Sequence, residues 1–380
     1  MVPSGSPRRV VIVERRLTHY RVPLYERLRE LLAERQIDLA VLVGTATPEE
    51  LAKRDGGHLP WATVIPTHYF LSGSLCWQRF NGHLHDIDLV VMDHQNKLLY
   101  NHWLLCGPRR FRVALWGHGR NMQGHAGSLS ERFKRWTISK ADWYFAYTQI
   151  SVDVVASAGF PVARITNLNN SIDTSNLSHD RDSIAPGEIA VLKRDLGLTG
   201  KPVGVFIGSL FAEKRLDFLL EAGRRIRRRL PEFQCLIIGD GPEREKIRKW
   251  TAAHDWVHWV GARRGREKAL FLGCAEVMLN PGMVGLGILD SFVLGIPLVT
   301  TDCGIHSPEI AYLRSGENGV MTPDNVDAFA VAVSALLGHP VALAGMRQGC
   351  VDSARDFRIE TMADRFADGI VTALATPRQR

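Results

Sequence analysis

No run of about 18 apolar residues occurs in this 380-residue chain, so no segment is long enough to cross a bilayer as a helix. The early apolar stretch, residues 10–13 behind Arg8 and Arg9, is too short for the core of a secretory signal. Any membrane association is therefore expected to be peripheral. Cysteine is scarce. The six cysteines are scattered from Cys76 to Cys350 with no C-x-x-C pair, so neither a zinc site nor a thioredoxin-like motif is supported. Reduced thiols in a cytoplasmic setting are the expectation. Low-complexity tracts and short repeats are missing. A strong charge imbalance is missing too: the net +7 suits an anionic ligand or an acidic membrane surface without demanding nucleic acid. The arginine-rich residues 224–229 read as a solvated helix face, and no nucleic-acid motif accompanies them.

What is present is length and alternation. The chain exceeds the usual size of one domain, and 45% hydrophobic residues suffice for two cores. Short apolar runs at 10–13, 39–43, 89–92, 113–116, 143–146 and 165–168 read as strands, with a helix over 25–34. Residues 173–187 are polar and read as a linker or the entry to a second domain. A second series of strands follows at 203–207, 235–238, 257–260, 277–280 and 297–300, with helices between them. Residues 216–229, 329–337 and 359–374 also have helical spacing. Strands alternating with helices predict an α/β fold of parallel sheets covered on both faces. In such sheets ligands sit beyond the carboxyl ends of the strands, so polar residues placed there are the site candidates.

Four such places lie in the second half. Gly208-Ser209-Leu210-Phe211-Ala212-Glu213-Lys214-Arg215 joins a strand to a helix. Glycine lets backbone approach a ligand, the helix N-terminus adds partial positive charge, and Lys214 and Arg215 add full charges suited to a diphosphate. A plain strand-to-helix turn with two solvated cations is the competing reading. Gly239-Asp240-Gly241 is weak evidence alone. Residues 281–287 form a glycine-rich helix entry, and Asp290 in the first turn suits ribose hydroxyls or, more plainly, the helix dipole. Residues 300–309 form a polar loop ending at His306 and Glu309. In the first half, Asp93-His94 and Trp116-Gly117-His118-Gly119-Arg120 follow strands. Basic-aromatic clusters fall at 109–112 and 132–136, suited to anionic head groups or to a solvated helix face.

The order GSLFAEKR, IIGDGPE, VGA, LDSFVLGIPLVTT and SPEI…GENG resembles glycosyltransferase family 4, strongly over the last half of the chain. Asn170 and Asp173 match its Asn-x-x-Asp place, and Arg21 in HYRVPLYERL fits its N-terminal pattern. The resemblance implies a GT-B arrangement of two Rossmann-like domains facing a cleft. These would be an acceptor-side domain at 1–180, a nucleotide-sugar domain at 181–355, and a terminal helix at 356–380 crossing back to the first. It implies that Lys214 and Arg215 neutralise the donor diphosphate and that Asp290 takes the ribose place of the second glutamate in an E-x7-E motif. Gly208, Ser209, Gly239, Val284, Gly285, Leu286 and Gly287 would line the donor, with the base near Gly261 and Ala262. One departure stands out: Gly282 occupies the position of the first glutamate, leaving Glu309 or His306 as candidates for the sugar. His118 would hydrogen-bond a sugar hydroxyl or share charge with the leaving phosphate, while Arg21, His94 and Arg120 would face the acceptor.

The implied activity is transfer of a sugar from a nucleotide-diphosphate donor to an acceptor hydroxyl, with retention and without a metal or other cofactor. The setting would be surface polysaccharide, lipopolysaccharide or glycolipid synthesis. The partners would be a nucleotide sugar, a saccharide or lipid-linked acceptor, and the inner face of a membrane, with no nucleic acid. A nucleotide-sugar epimerase or hydrolase on the same fold, and a donor-binding subunit without catalysis, remain as alternatives.

Overall fold

The computed structural model describes residues 7–51, 55–119 and 129–379. The chain forms two compact units, residues 1–173 with 359–380 and residues 174–358.

In the first unit, β1 (Arg8–Glu14), β2 (Ile37–Val43), β3 (Thr63–Val64), β6 (Leu89–Asp93), β7 (Arg112–Gly117), β8 (Trp143–Ala146) and β9 (Ile165–Asn167) make one sheet. Its order is β3-β2-β1-β6-β7-β8-β9, with every pair parallel. A small antiparallel hairpin of β4 (Thr67–Phe70) and β5 (Leu75–Gln78) stands apart from it. The strands are apolar almost without interruption because both faces are buried. Val10 and Ile12 point into one layer with Val91, Trp116 and Phe145. Val11 and Val13 point into the other with Met92, Leu115 and Tyr144. The helix Val22–Glu34 closes the first layer through Leu24, Tyr25, Leu28, Leu31 and Leu32, a helical stripe.

The helix Ile359–Ala375 belongs to that same layer. It lies against Val22–Glu34 and buries Met362, Phe366 and Ile370. Phe366 has no exposure, and its ring stands 5.0 Å from Trp116 and 4.5 Å from Phe145. Gly369 is needed beside it, since a Cβ there would come within 2.6 Å of Phe145.

The second unit is a six-stranded parallel sheet of β10 (Val203–Ile207), β11 (Gln234–Ile238), β12 (Val257–Trp259), β13 (Val277–Leu279), β14 (Leu298–Thr301) and β15 (Gly319–Thr322). The order is β12-β11-β10-β13-β14-β15, reversing direction between β10 and β13. The stretch expected to be a linker is instead helical, Ser175–Asp182 and Pro186–Asp195. Leu177 alone anchors the first of these, among Ala269 and Val293, and Arg181 donates to the Val293 carbonyl. So few apolar residues leave little periodicity to read. The units accordingly divide after residue 173, ahead of the expected 180, and the return to the first unit comes at 359 in place of 356. The helix Pro340–Asp356 and strand β15 also went unread, the latter because glycine and threonine end a four-residue strand.

Phe366→Ala should cost the first unit about 3–5 kcal/mol, the usual range for emptying a buried phenylalanine site. Urea unfolding followed by tryptophan fluorescence measures it.

Candidate functional site

The loops beyond β10, β11 and β13 are laid directly on one another. Gly208 and Gly239 have φ near +150°, a region open to glycine. A Cβ on Gly239 would lie 1.9 Å from the Gly208 carbonyl oxygen. Backbone bonds lock the stack: Gly208 N to Ile238 O at 3.1 Å, Gly239 N to Gly261 O at 2.9 Å, and Leu210 N to Asp240 O at 3.0 Å. Gly208, Ser209, Gly239 and Gly261 therefore lie together at one edge of the sheet, with Ala262 following.

Lys214 ends a short 3-10 turn, Ala212–Lys214, above this stack. Its ammonium donates to the carbonyl of Met283, which also accepts from Asn280 Nδ2 at 3.2 Å. No carboxylate pairs with Lys214 among the described residues. Burial pushes its pKa down to about 8. Arg215, in the left-handed region with φ 55°, starts the helix Leu216–Arg229. Its guanidinium is occupied differently: it pairs with Asp324 and lies 3.4 Å from both Pro281 O and Thr301 Oγ1.

Gly282 sits against this turn. A Cβ there would come within 2.2 Å of Glu213 O and 2.6 Å of the Lys214 carbonyl carbon. The Met283 amide donates to Glu213 O at 2.9 Å. The missing acid thus has a steric cause: in this arrangement the position holds no side chain.

The glycine-rich entry, Val284 to Gly287, is fixed from the neighbouring loop. Val284 N donates to His306 Nδ1 at 3.1 Å, and Ser307 N donates to Val284 O at 2.9 Å. Since a backbone N–H can only donate, Nδ1 of His306 is the acceptor, and the ring proton sits on Nε2, 2.7 Å from Thr301 O. His306 is 6% exposed with both nitrogens engaged, so it braces the loop and is withdrawn as a sugar contact. Glu309 is buried in the turn Pro308–Tyr312. Asp290, on the helix Gly287–Leu294, is paired with Lys268 Nζ at 2.7 Å, a partner from another helix that no local spacing announced.

In the first unit, the carboxyl ends of β1, β6 and β7 carry a buried polar cluster. Glu14 accepts from Tyr25 Oη, and burial raises its pKa. Burial, with the nearby Glu14 charge, pushes Asp93 up to about 8. Arg21 is 7% exposed, its guanidinium 4.7 Å from the Trp116 ring and 5.6 Å from the Tyr20 and Tyr147 rings. His118 packs on Tyr147 at 4.4 Å, and its Nδ1 is buried with no hydrogen-bond partner among the described residues. Burial and the cations Lys134 and Arg21 lower its pKa to about 4, so the imidazole is neutral near pH 7.

His94 lies deeper, 4% exposed. Tyr144 Oη accepts from Gly119 N at 3.0 Å, which leaves its proton for His94 Nδ1 at 2.9 Å. Thr137 Oγ1 gives its proton to Lys134 O at 2.7 Å and receives one from His94 Nε2 at 3.0 Å. Every polar atom in this relay is used. His94 therefore holds the Gly117–Gly119 turn in place and does not face an acceptor. Arg120 lies outside the described residues.

Comparisons with known proteins bear on the fold and on the second unit. Residues 201–339 match the family described as glycosyl transferases group 1. The GDP-mannose-dependent alpha-(1-6)-phosphatidylinositol monomannoside mannosyltransferase of Mycolicibacterium smegmatis is 30% identical over 205 residues, 50% of this chain and 52% of that protein. The alpha-D-kanosaminyltransferase of Streptomyces kanamyceticus is 27% identical over 173 residues, 42% of each chain. The chain spans about half the length of the curated relatives it matches. Anabaena Alr3699/HepE, solved in complex with UDP, superposes with a TM-score of 0.68 at 14% identity, covering 96% of this chain and 99% of that one. Sucrose-phosphate synthase from Thermosynechococcus elongatus gives 0.68 at 14% identity, over 97% and 99%. The match to the glycosyl transferases group 1 family thus falls within the second unit, and the chain as a whole shares the α/β fold of these solved structures.

Because Gly282 lies on the Lys214 turn, a Gly282→Ala variant should be overpacked by about 1–3 kcal/mol. The thermal unfolding midpoint should fall; an unchanged midpoint would show that the turn has room to yield.

Proposed function

We propose that this protein transfers a hexosyl group from a nucleotide-diphosphate sugar to an acceptor hydroxyl in glycolipid or polysaccharide synthesis. One observation carries the reading. Lys214 holds an ammonium in a desolvated place at the carboxyl edge of the sheet, anchored to a carbonyl and not to a carboxylate. A cation so placed is an electrostatic complement to a phosphate. The glycine turns around it let backbone come close, and the N-terminus of Gly287–Leu294 adds donors. The relatives' printed activities, GDP-mannose-dependent transfer among them, point the same way.

In the reaction, the bond between the anomeric carbon and the phosphate oxygen breaks, and negative charge grows on the departing diphosphate. Lys214 and the backbone N–H groups of Gly285 to Gly287 stabilise that charge. Arg215 contributes by exchanging Asp324 for a phosphate oxygen, or at longer range if the pair persists. Asp290 takes the ribose, with Lys268 orienting its carboxylate. Gly208, Ser209, Gly239, Gly261 and Ala262 line the nucleotide, and Glu309 stands toward the sugar. On the acceptor side, neutral His118 offers a hydrogen bond and Arg21 a positive charge. The acceptor's proton passes to the leaving phosphate, with retention at the anomeric carbon. Gly282 favours one second reading, a subunit that binds donor without transfer.

Lys214→Ala should lower kcat about 10²–10³-fold while donor binding remains measurable, the usual effect of removing one preorganised charge. Turnover with a panel of UDP-, GDP-, ADP- and dTDP-sugars tests this. Wild-type rates in the variant would remove Lys214 from the mechanism, and donor binding with no transfer by wild-type protein would favour the second reading.

Donor binding should also depend on pH. A diphosphate favours protonated Lys214, so affinity should be flat below the free-protein value of about 8 and fall as pH rises above it. Calorimetry in buffers of different ionisation enthalpy should show proton uptake on binding near pH 8. No uptake would mean that the phosphates do not meet this lysine.

A further inference from the structure

We propose that the outer faces of the helices Leu99–Cys106 and Leu129–Ile138 form a docking surface for an anionic phospholipid bilayer. The proposal deepens the reading of a lipid-linked acceptor and rests on that reading for its purpose. Its structural grounds are independent of the donor site.

Three large aromatic side chains stand in solvent on these two helices: Trp103 is 58% exposed, Phe133 38% and Trp136 45%. Their ring contacts fall in two groups, one on each side of the neighbouring residues His102 and Trp103. Tyr100 stacks on Trp103 at 5.2 Å, His102 meets Phe133 at 4.8 Å, and Phe133 lies 5.7 Å from Trp136. The inner face of the second helix accounts for its packing, with Thr137 and Ile138 buried, so the exposed rings are surplus to the core.

Charge identifies what covers them. Residues 97–140 hold nine Lys and Arg and a single acid, Glu131, for a net +8. The whole chain carries +7, so the rest of the molecule is close to neutral. Within this stretch Arg109 is spent on the carbonyls of Leu105 and Lys140, and Arg112 on that of Thr376. Arg110, Arg132 and Arg135 are exposed and make no ion pair among the described residues. Lys140 lies 5.5 Å over the Trp136 ring. Tryptophan flanked by exposed cations suits the level of anionic head groups, where rings enter the interface and cations meet phosphate.

The surface is also joined to the acceptor edge. Thr137 on the docking helix is the far end of the relay through His94 and Tyr144 to Gly119. The turn bearing His118 is therefore held at a fixed height from the helix that would lie on the lipid.

The test uses the full chain in co-sedimentation with phosphatidylcholine vesicles, with and without phosphatidylglycerol. Wild-type protein should bind the phosphatidylglycerol vesicles, and salt should weaken the binding. An R132E/R135E double variant should lose about tenfold or more of that affinity. A W103S/W136S double variant should lose binding that persists at high salt. Circular dichroism and the donor-induced thermal shift should be unchanged in both variants. Absence of binding to phosphatidylglycerol vesicles, equal binding by wild type and both variants, or retention only on a single-stranded oligonucleotide would overturn the proposal. Vesicle binding without any donor-induced shift would instead sink the donor reading and leave the docking surface standing.

Discussion

Backbone lying directly on backbone is the constraint from which the glycine-lined edge of the second unit follows. The turn after β11 rests on the Gly208 carbonyl, and the loop after β13 rests on Glu213 and Lys214. The lysine then reaches back to Met283, whose own amide holds the lysine turn through Glu213. The two loops therefore fix each other. Such reciprocal holding keeps a half-buried ammonium in place with no carboxylate partner among the described residues, where a lysine on a free loop would turn outward to water. A glutamate at 282 would push these loops apart, so the loss of an acid and the placing of the cation are two aspects of one packing arrangement.

The first unit treats charge in the opposite way. Glu14, Asp93 and Arg21 are drawn below the surface together, and burial raises the pKa of both carboxyls, that of Asp93 to about 8. Arg21 is surrounded by rings where a carboxylate fork might be expected. His118 beside it is kept neutral. An edge built of a neutral imidazole, buried carboxyls of raised pKa and one aromatic-bound cation suits the handling of hydroxyls. The second unit's edge, with its exposed backbone donors and bare ammonium, suits phosphate.

Much of the scaffold could be read from the sequence because both sheets are buried on two faces. Unbroken runs such as 203–207 and 143–146 coincide with strands, and the stripe Leu24, Leu28, Leu31 marks its helix. Reading failed where apolar content was thin: the helices at 175–195 bury only Leu177 fully and are otherwise held by polar pairs such as Lys193 with Glu276, and β15 is glycine and threonine at its ends. Among site residues, the strand-end position of Lys214 was visible in its motif. The partners that decide what each side chain can do come from distant sequence. Lys268 holds Asp290, Asp324 holds Arg215, and Thr137 with Tyr144 encloses His94. A histidine after a strand looks the same on the page whether it faces a ligand, as His118 can, or braces a loop, as His94 and His306 do.

The helix Ile359–Ala375 lends a direction to how the molecule comes into being. The layer beneath Trp116 and Phe145 lacks its cover until Phe366 arrives, and more than 180 residues of the second unit are translated in between. On the ribosome the second unit has all its strands and helices in hand first. The first unit must wait, with an open apolar layer, until residues 359–375 have been made. Until then its nascent form exposes apolar surface of the kind that invites aggregation, and a pause while residues 174–358 are translated would lengthen that exposure.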